Sequence, residues 1–243
     1  RSLNLLLIRV LLPALLFRST SRTDISQVGA ASAGFLIAVI LVAALSVVLA
    51  TLTMRFDARG AFVQSSFRGN LAYLGLPVVS AVIGEEAIPV AAAILAAGLI
   101  LHVILTILLL QLLSPDQPQM KLVQNLKTIV TNPLILSALA GILFSLTGWN
   151  LPTIVAQPLD LLGRAALPLA LLVIGCTISF TSIKARWSLT LLAVTFKLVL
   201  MPAIAYSVMW FLFGARGNTV LIVVIMASAP TAILAQTFAE AFN

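Results

Sequence analysis

The chain has 243 residues, 61% of them hydrophobic and 9% charged, and its 14 Lys and Arg against 7 Asp and Glu give a formal net charge of +7. A soluble domain carries about 25% charged residues, so this composition cannot coat a water-soluble globule, and the mean hydropathy of +1.17 places the chain in the membrane class. The basic residues are scattered through short loops, which marks them as topology determinants and argues against a nucleic-acid partner.

Eight apolar stretches succeed one another: Leu3–Phe17, Ala30–Met54, Ala61–Gly84, Ile88–Leu113, Ile129–Leu146, Leu159–Phe180, Leu189–Phe213 and Thr219–Ala239. Crossing about 30 Å of hydrocarbon takes roughly 20 residues as a helix. The first stretch is short for that, and the chain begins at Arg1 and ends just after an apolar run. Both ends read as cuts within a longer protein. With neither barrel-like alternation nor regular short strands, every span is expected to be a helix.

The loops between spans alternate in charge. Arg55, Arg59 and Arg68 flank one loop, Glu85 and Glu86 mark the next, then come Lys121 and Lys127, Asp160, Lys184 with Arg186, and Arg216. Positive loops face the cytoplasm, so 55–68, 114–127 and 181–188 are expected inside, and 85–87, 147–158 and 214–218 outside. Arg18 and Arg22 fall outside on this count, against the rule.

An internal repeat is visible. Arg9-Val-Leu-Leu-Pro13 and Arg164-Ala-Ala-Leu-Pro168 share R-x-x-L-P at an offset of 155, and Gly75-Leu-Pro77 and Ser228-Ala-Pro230 share small-x-Pro at an offset of 153. An odd number of spans separates the copies, so they insert with opposite orientation, the inverted-repeat design of many secondary transporters. The expected architecture is an all-α integral membrane protein of two five-helix units. Residues 1–113 form a first repeat lacking its first helix, 114–128 a short cytoplasmic linker, and 129–243 a second repeat lacking its last helix. Of ten helices, about eight are present.

The third and last spans are interrupted by Gly75 and Pro77, with polar Asn70, and by Pro230 flanked by Ser228 and Thr231. Proline removes a donor and clashes with the preceding turn, and the freed backbone groups need partners other than lipid. Two broken spans crossing at mid-membrane would bring half-helix ends together, and their N-terminal N–H groups suit a carboxylate. The bland alternative is a simple proline kink. Gln236 is a further candidate contact to substrate, or a bond to a neighbouring helix.

Lys197, well inside its span, reads either as a counter-charge for an anion or ion-pair partner, or as a side chain snorkelling to the cytoplasmic interface. His102, mid-span, reads as a proton relay or as a neutral imidazole bonded to a carbonyl. Arg9 and Arg164 read as headgroup anchors or gate charges, Asn132 before Pro133 as a helix cap, and Ser137, Gly141 and Ser145 as a packing stripe. Cys176 is the lone cysteine and reads as a small buried hydrophobe. Catalytic motifs, a His/Cys metal set and a phosphate-binding loop are missing from the sequence, so no enzyme activity, metal or cofactor is expected.

The stretches GNLAYLGLPV at 69–78, NPLILSALAGILFSLTGWNLP at 132–152, LDLLGRAALPLALLVIGCTIS at 159–179, KLVLMP at 197–202 and SAPTAILAQTFAEAFN at 228–243, in this order, resemble the auxin efflux carrier family of membrane transporters. The resemblance implies a ten-helix carrier whose fourth and ninth helices break at prolines and cross at the substrate site; these are Ala61–Gly84 and Thr219–Ala239 in this chain. It makes Asn70 similar to the family's site asparagine and Pro77 and Pro230 similar to its crossover prolines. It implies export of auxin or carriage of malonate, malate and similar acids, and the short 114–127 loop fits a bacterial permease in the plasma (inner) membrane better than a plant member.

Taken together, these readings describe a secondary carrier of a small organic anion, working by alternating access in the lipid bilayer. Proton or Na⁺ coupling and a homodimer both remain open. The alternatives are a Na⁺-coupled carrier resembling the bile-acid symporters and a non-transporting membrane sensor or scaffold.

Overall fold

The computed structural model describes residues 2–22, 25–113, 130–176 and 187–231. Among them the fold is all-α, with nine helices. These are α1 (Leu3–Thr20), α2 (Ile25–Thr53), α3 (Phe56–Phe67), α4 (Leu71–Val82), α5 (Ile88–Leu113), α6 (Pro133–Leu146), α7 (Thr153–Gly175), α8 (Ser188–Leu212) and α9 (Asn218–Ser228). Five of them (α1, α2, α5, α7, α8) are long and apolar enough to cross a bilayer. The third passage is split between α3 and α4, so nine helices make the eight passages that the apolar runs mark out.

Why helices form is a matter of solvent: lipid offers no partner to a bare N–H or C=O, so each passage must satisfy its own backbone. Where a passage starts, the sequence supplies the partner. The Asn132 side chain accepts from Leu134 N–H at 2.9 Å and Pro133 occupies the first turn, so α6 is capped as expected.

Prolines inside passages are absorbed differently from the expectation. The stretches Leu7–Leu11, Leu71–Gly75 and Phe196–Leu200 are π-helical turns, and each ends two residues before a proline, Pro13, Pro77 and Pro202. One extra residue per turn steps the preceding carbonyl away from the proline ring, so the helix widens and continues. Pro77 therefore lies inside a continuous helix. The interruption of the third passage falls earlier, at Arg68–Asn70, between the end of α3 and the start of α4. Pro230, in contrast, stands in the break just after α9. The two small-x-Pro motifs thus do not occupy equivalent places: Asn70, not Pro77, faces Pro230.

The helices pack in two groups. In one, α1 packs on α6 and α7; in the other, α2, α3, α5, α8 and α9 surround the breaks. A Cβ on Gly141 would stand 2.6 Å from the Phe17 carbonyl oxygen and run into the Thr20 hydroxyl, so glycine alone permits the α1–α6 approach. Thr20 Oγ1 spans that contact with a 3.1 Å bond to Ala138 O. The half-buried Ser137 and Ser145 flank this glycine on the same face.

The ends that the charge pattern places outside carry the reason for the anomalous arginines. Arg18 is paired with Asp160 through both carboxylate oxygens, at 2.7 and 3.0 Å, and Arg22 approaches the same carboxylate at 3.8 Å. The charge rule counts residues singly, whereas these basic residues are held by an acid across the fold. Arg68 is likewise not a loop residue: it lies at the break, half-buried, about 18 Å along from the first residue of α3 at 1.5 Å per residue. Cys176, expected as a small buried hydrophobe, is exposed just beyond the end of α7.

Replacing Gly141 with Val forces the Phe17 backbone to move. Overpacking of this kind costs about 1–3 kcal/mol, so the variant is expected to show a melting temperature in detergent several degrees below that of the parent chain, measured by scanning fluorimetry.

Candidate functional site

The two breaks cross in antiparallel sense. Gly69 and Thr231 form an isolated bridge, and Asn70 N–H donates to Pro230 O at 2.8 Å. Extended backbone from one passage thus satisfies extended backbone from the other, which is how irregular chain survives inside a membrane protein.

Asn70 organises the start of α4. Its side-chain oxygen accepts from Tyr73 N–H at 3.2 Å, and its carbonyl accepts from Leu74 and Gly75 N–H. The N–H groups of Leu71 and Ala72 open the helix, where no intrahelical acceptor is available. This is the positive end of a helix dipole. Gly75, one turn on, lets Met226 of α9 come close: a Cβ there would sit 2.9 Å from the Met226 sulfur.

Lys197 resolves in favour of the interior. It is 1% exposed, so it does not snorkel. Its Nζ donates to Ala227 O at 2.9 Å and to Phe67 O at 3.3 Å. These are carbonyls of the last turns of α9 and α3, the negative ends of both half-helices. One ammonium thereby caps two helices that belong to different passages. Its place is set by the π-turn Phe196–Leu200, and the space it needs by Gly69, whose missing Cβ would stand 2.9 Å from Nζ.

His102 borders the same region. It is 1% exposed, its ring lies 5.8 Å from that of Phe67 and 6.2 Å from that of Phe35, and its Nε2 has no hydrogen-bond partner among the described residues. One turn towards the inner end, Gln64 Nε2 and Thr106 Oγ1 are also buried and unpartnered among the described residues.

The expected hydroxyl contacts are already engaged. Ser228 Oγ donates to Val224 O at 2.7 Å and Thr231 Oγ1 to Ser65 O at 3.3 Å. A hydroxyl has one proton to give, so in this arrangement neither is a free donor for a carboxylate. Pro77 is buried seven residues beyond the break, and Gln236 lies outside the described residues.

Two polar residues at the site were not among the site residues that the sequence reading named. Arg68 adds a second cation at the crossing. Tyr73 donates its hydroxyl to Asn4 Oδ1 at 2.5 Å, linking α4 to the start of the α1 passage and so joining the two helix groups. The signal for both was present in Phe67-Arg68-Gly69-Asn70, a charge and a glycine inside an apolar span, and in a tyrosine one turn further on.

Each hydrogen bond from a charged donor contributes about 1.5–3 kcal/mol. Lys197→Met, which keeps length and loses the charge, is therefore expected to lower the melting temperature by about 5–10 °C. Lys197→Arg does not rescue it, because the larger guanidinium has no room beside Gly69. Scanning fluorimetry of the two variants measures this.

Comparison with known proteins adds the family. The profile described as membrane transport protein matches residues 1–243. An "Uncharacterized transporter" of Methanothermobacter thermautotrophicus is 30% identical over 247 residues, covering 98% of this chain and 78% of that protein. A "Putative malonate transporter" of Rhizobium meliloti is 27% identical over 239 residues, covering 95% of this chain and 74% of that protein. A match along the full chain, with a relative at 30% identity over nearly all of it, means that the chain belongs to the membrane transport protein family, the family of the auxin efflux carriers.

Proposed function

We propose that the chain is a secondary carrier of small organic anions and that the crossing of the two broken passages is its substrate site. The observation that carries this reading is the charge at the crossing. Lys197 is spent on the carbonyl ends of α3 and α9, which neutralises the negative poles and leaves the opening N–H groups of α4 and the Asn70 amide as electropositive groups at the crossing, with Arg68 in the same break. An anion is stabilised at such a place and a cation is not. A carboxylate bound there takes N–H donors from Leu71 and Ala72 and the side-chain amide of Asn70, with Arg68 as the balancing charge. Malonate is the first candidate, from the name of the Rhizobium relative.

The same reading treats 1–113 and 129–243 as inverted repeats joined by 114–128. Two contacts support it. Arg18 meets Asp160, and Leu15 lies beside Gly163, so α1 and α7 run antiparallel in register. Arg9 then comes level with Pro168, and Arg164 level with Pro13, as a two-fold axis in the membrane plane requires. Alternating access follows as movement of the α1, α6, α7 group against the group that holds the crossing.

Na⁺ coupling at the crossing is disfavoured by Lys197, whose ammonium takes the carbonyl cradle where a metal cation would be held. On this reading the protein lies in the plasma membrane with the Cys176 end of α7 inside.

Counterflow in proteoliposomes with labelled malonate, malate, lactate and indole acetate tests the reading. Uptake of at least one acid is expected, unchanged when choline replaces Na⁺, and reduced more than tenfold by Asn70→Ala. No flux of any acid would turn the assignment towards a sensor or scaffold, and Na⁺-dependent flux would turn it towards the symporter alternative. Cys176 is the chain's single cysteine and is exposed, so a membrane-impermeant maleimide is expected to label it from the cytoplasmic side only.

A further inference from the structure

Between the two helix groups, towards the outer ends, lies a cavity of about 390 Å³. Its walls come from α1, α7, the outer half of α4 at Ser80 and the turn at Glu85. Three guanidinium groups line it, Arg18, Arg22 and Arg164, against two carboxylates, Asp160 and Glu85. They are not equivalent. Arg18 holds Asp160 through both oxygens, and Arg22 lies 3.8 Å from the same carboxylate. Arg164 has no ion pair or hydrogen bond among the described residues.

Its position is what makes that informative. Arg164 stands half-way along the 23-residue α7, about 16 Å from the first residue of the helix. It lies one turn beyond Asp160, on the wall of the cavity, so its charge is offered to whatever the cavity holds. The neighbouring acid cannot serve it, because Asp160 is already held by Arg18.

We propose that this cavity is an outer capture subsite for organic anions, in which the Arg164 guanidinium receives one carboxylate through two parallel N–H bonds. The fork geometry of arginine matches a carboxylate, which an ammonium does not. Small-ligand pockets span roughly 300–1,000 Å³, and this one lies at the lower end, suited to a short-chain acid rather than a steroid-sized one. The Arg18–Asp160 pair keeps Asp160 from quenching Arg164. From Ser80 the α4 helix leads directly to Asn70, about 15 Å away, so an anion released by Arg164 has the crossing as its next electropositive stop. The proposal rests on the anion-carrier reading for its biological sense, but the binding itself does not depend on transport.

Two measurements on the full chain test it. In oriented proteoliposomes, Arg164→Gln is expected to raise the half-saturation concentration for malonate offered at the outer face at least tenfold. The influx rate at saturating outer malonate should change less than twofold, and Arg164→Lys should recover part of the loss. On the parent protein, phenylglyoxal modification of Arg164, followed by mass spectrometry, is expected to be slowed by malonate and not by uncharged malonamide; this arm needs no variant to fold. Flux without protection, or an outer half-saturation that the Gln variant leaves unchanged, overturns the subsite and leaves the carrier standing. Protection by malonate in a protein that shows no counterflow supports the subsite and overturns the carrier. Equal protection by malonamide also overturns the subsite.

Discussion

A single ammonium group holds the centre of this molecule together. Breaking a helix inside a bilayer strands carbonyls at its severed end, and hydrocarbon offers them nothing. Two such ends, from α3 and α9, meet at the crossing, and Lys197 reaches both with bonds of 3.3 and 2.9 Å. The cost of burying a charge is offset because two negative helix poles converge on it. The arrangement also decides what kind of solute the crossing can welcome. With the carbonyl ends occupied by a tethered cation, the amide hydrogens that open α4 are the groups left facing the crossing, and they favour anions.

The all-helical character and the succession of the passages were legible from the amino-acid sequence because hydrophobic length is a strong, local signal. So were the Asn132 cap and the packing of Gly141, which depend on residues within a turn of each other or on the size of one residue. The position of the first break was not. Pro77 drew attention as the helix breaker, yet a π-turn at Leu71–Gly75 accommodates it, while the true interruption needs only Gly69 and an Asn70 whose side chain caps the start of α4. Local propensity names the residues able to break a helix; which of them does so is decided by whether a partner strand waits opposite, and Pro230 lies far away in the chain.

Charges proved the least legible. Reading Lys197 from its depth alone left an interfacial and an interior role equally open, since the carbonyls that claim it come from two distant segments. Arg68 was counted with Arg55 and Arg59 as flanking a positive loop, although it stands in the break between α3 and α4. Arg18 contradicted the charge rule until Asp160 came to meet it from α7. In each case the missing information was a tertiary partner. The hydroxyls of Ser228 and Thr231 teach the converse lesson: residue type suggested free donors, and both protons are already committed to backbone carbonyls.

Gly69 and Lys197 share one small volume, with no space for even a methyl group beside the amine. Neither position can therefore drift by itself over evolutionary time. A side chain arriving at 69 displaces the amine and strands two helix ends, whereas a shortened residue at 197 opens a hole beside a glycine that then has no reason to stay. Descendants of this gene are expected to keep both residues or to exchange both together, a pairwise inheritance written by the room one nitrogen atom takes up.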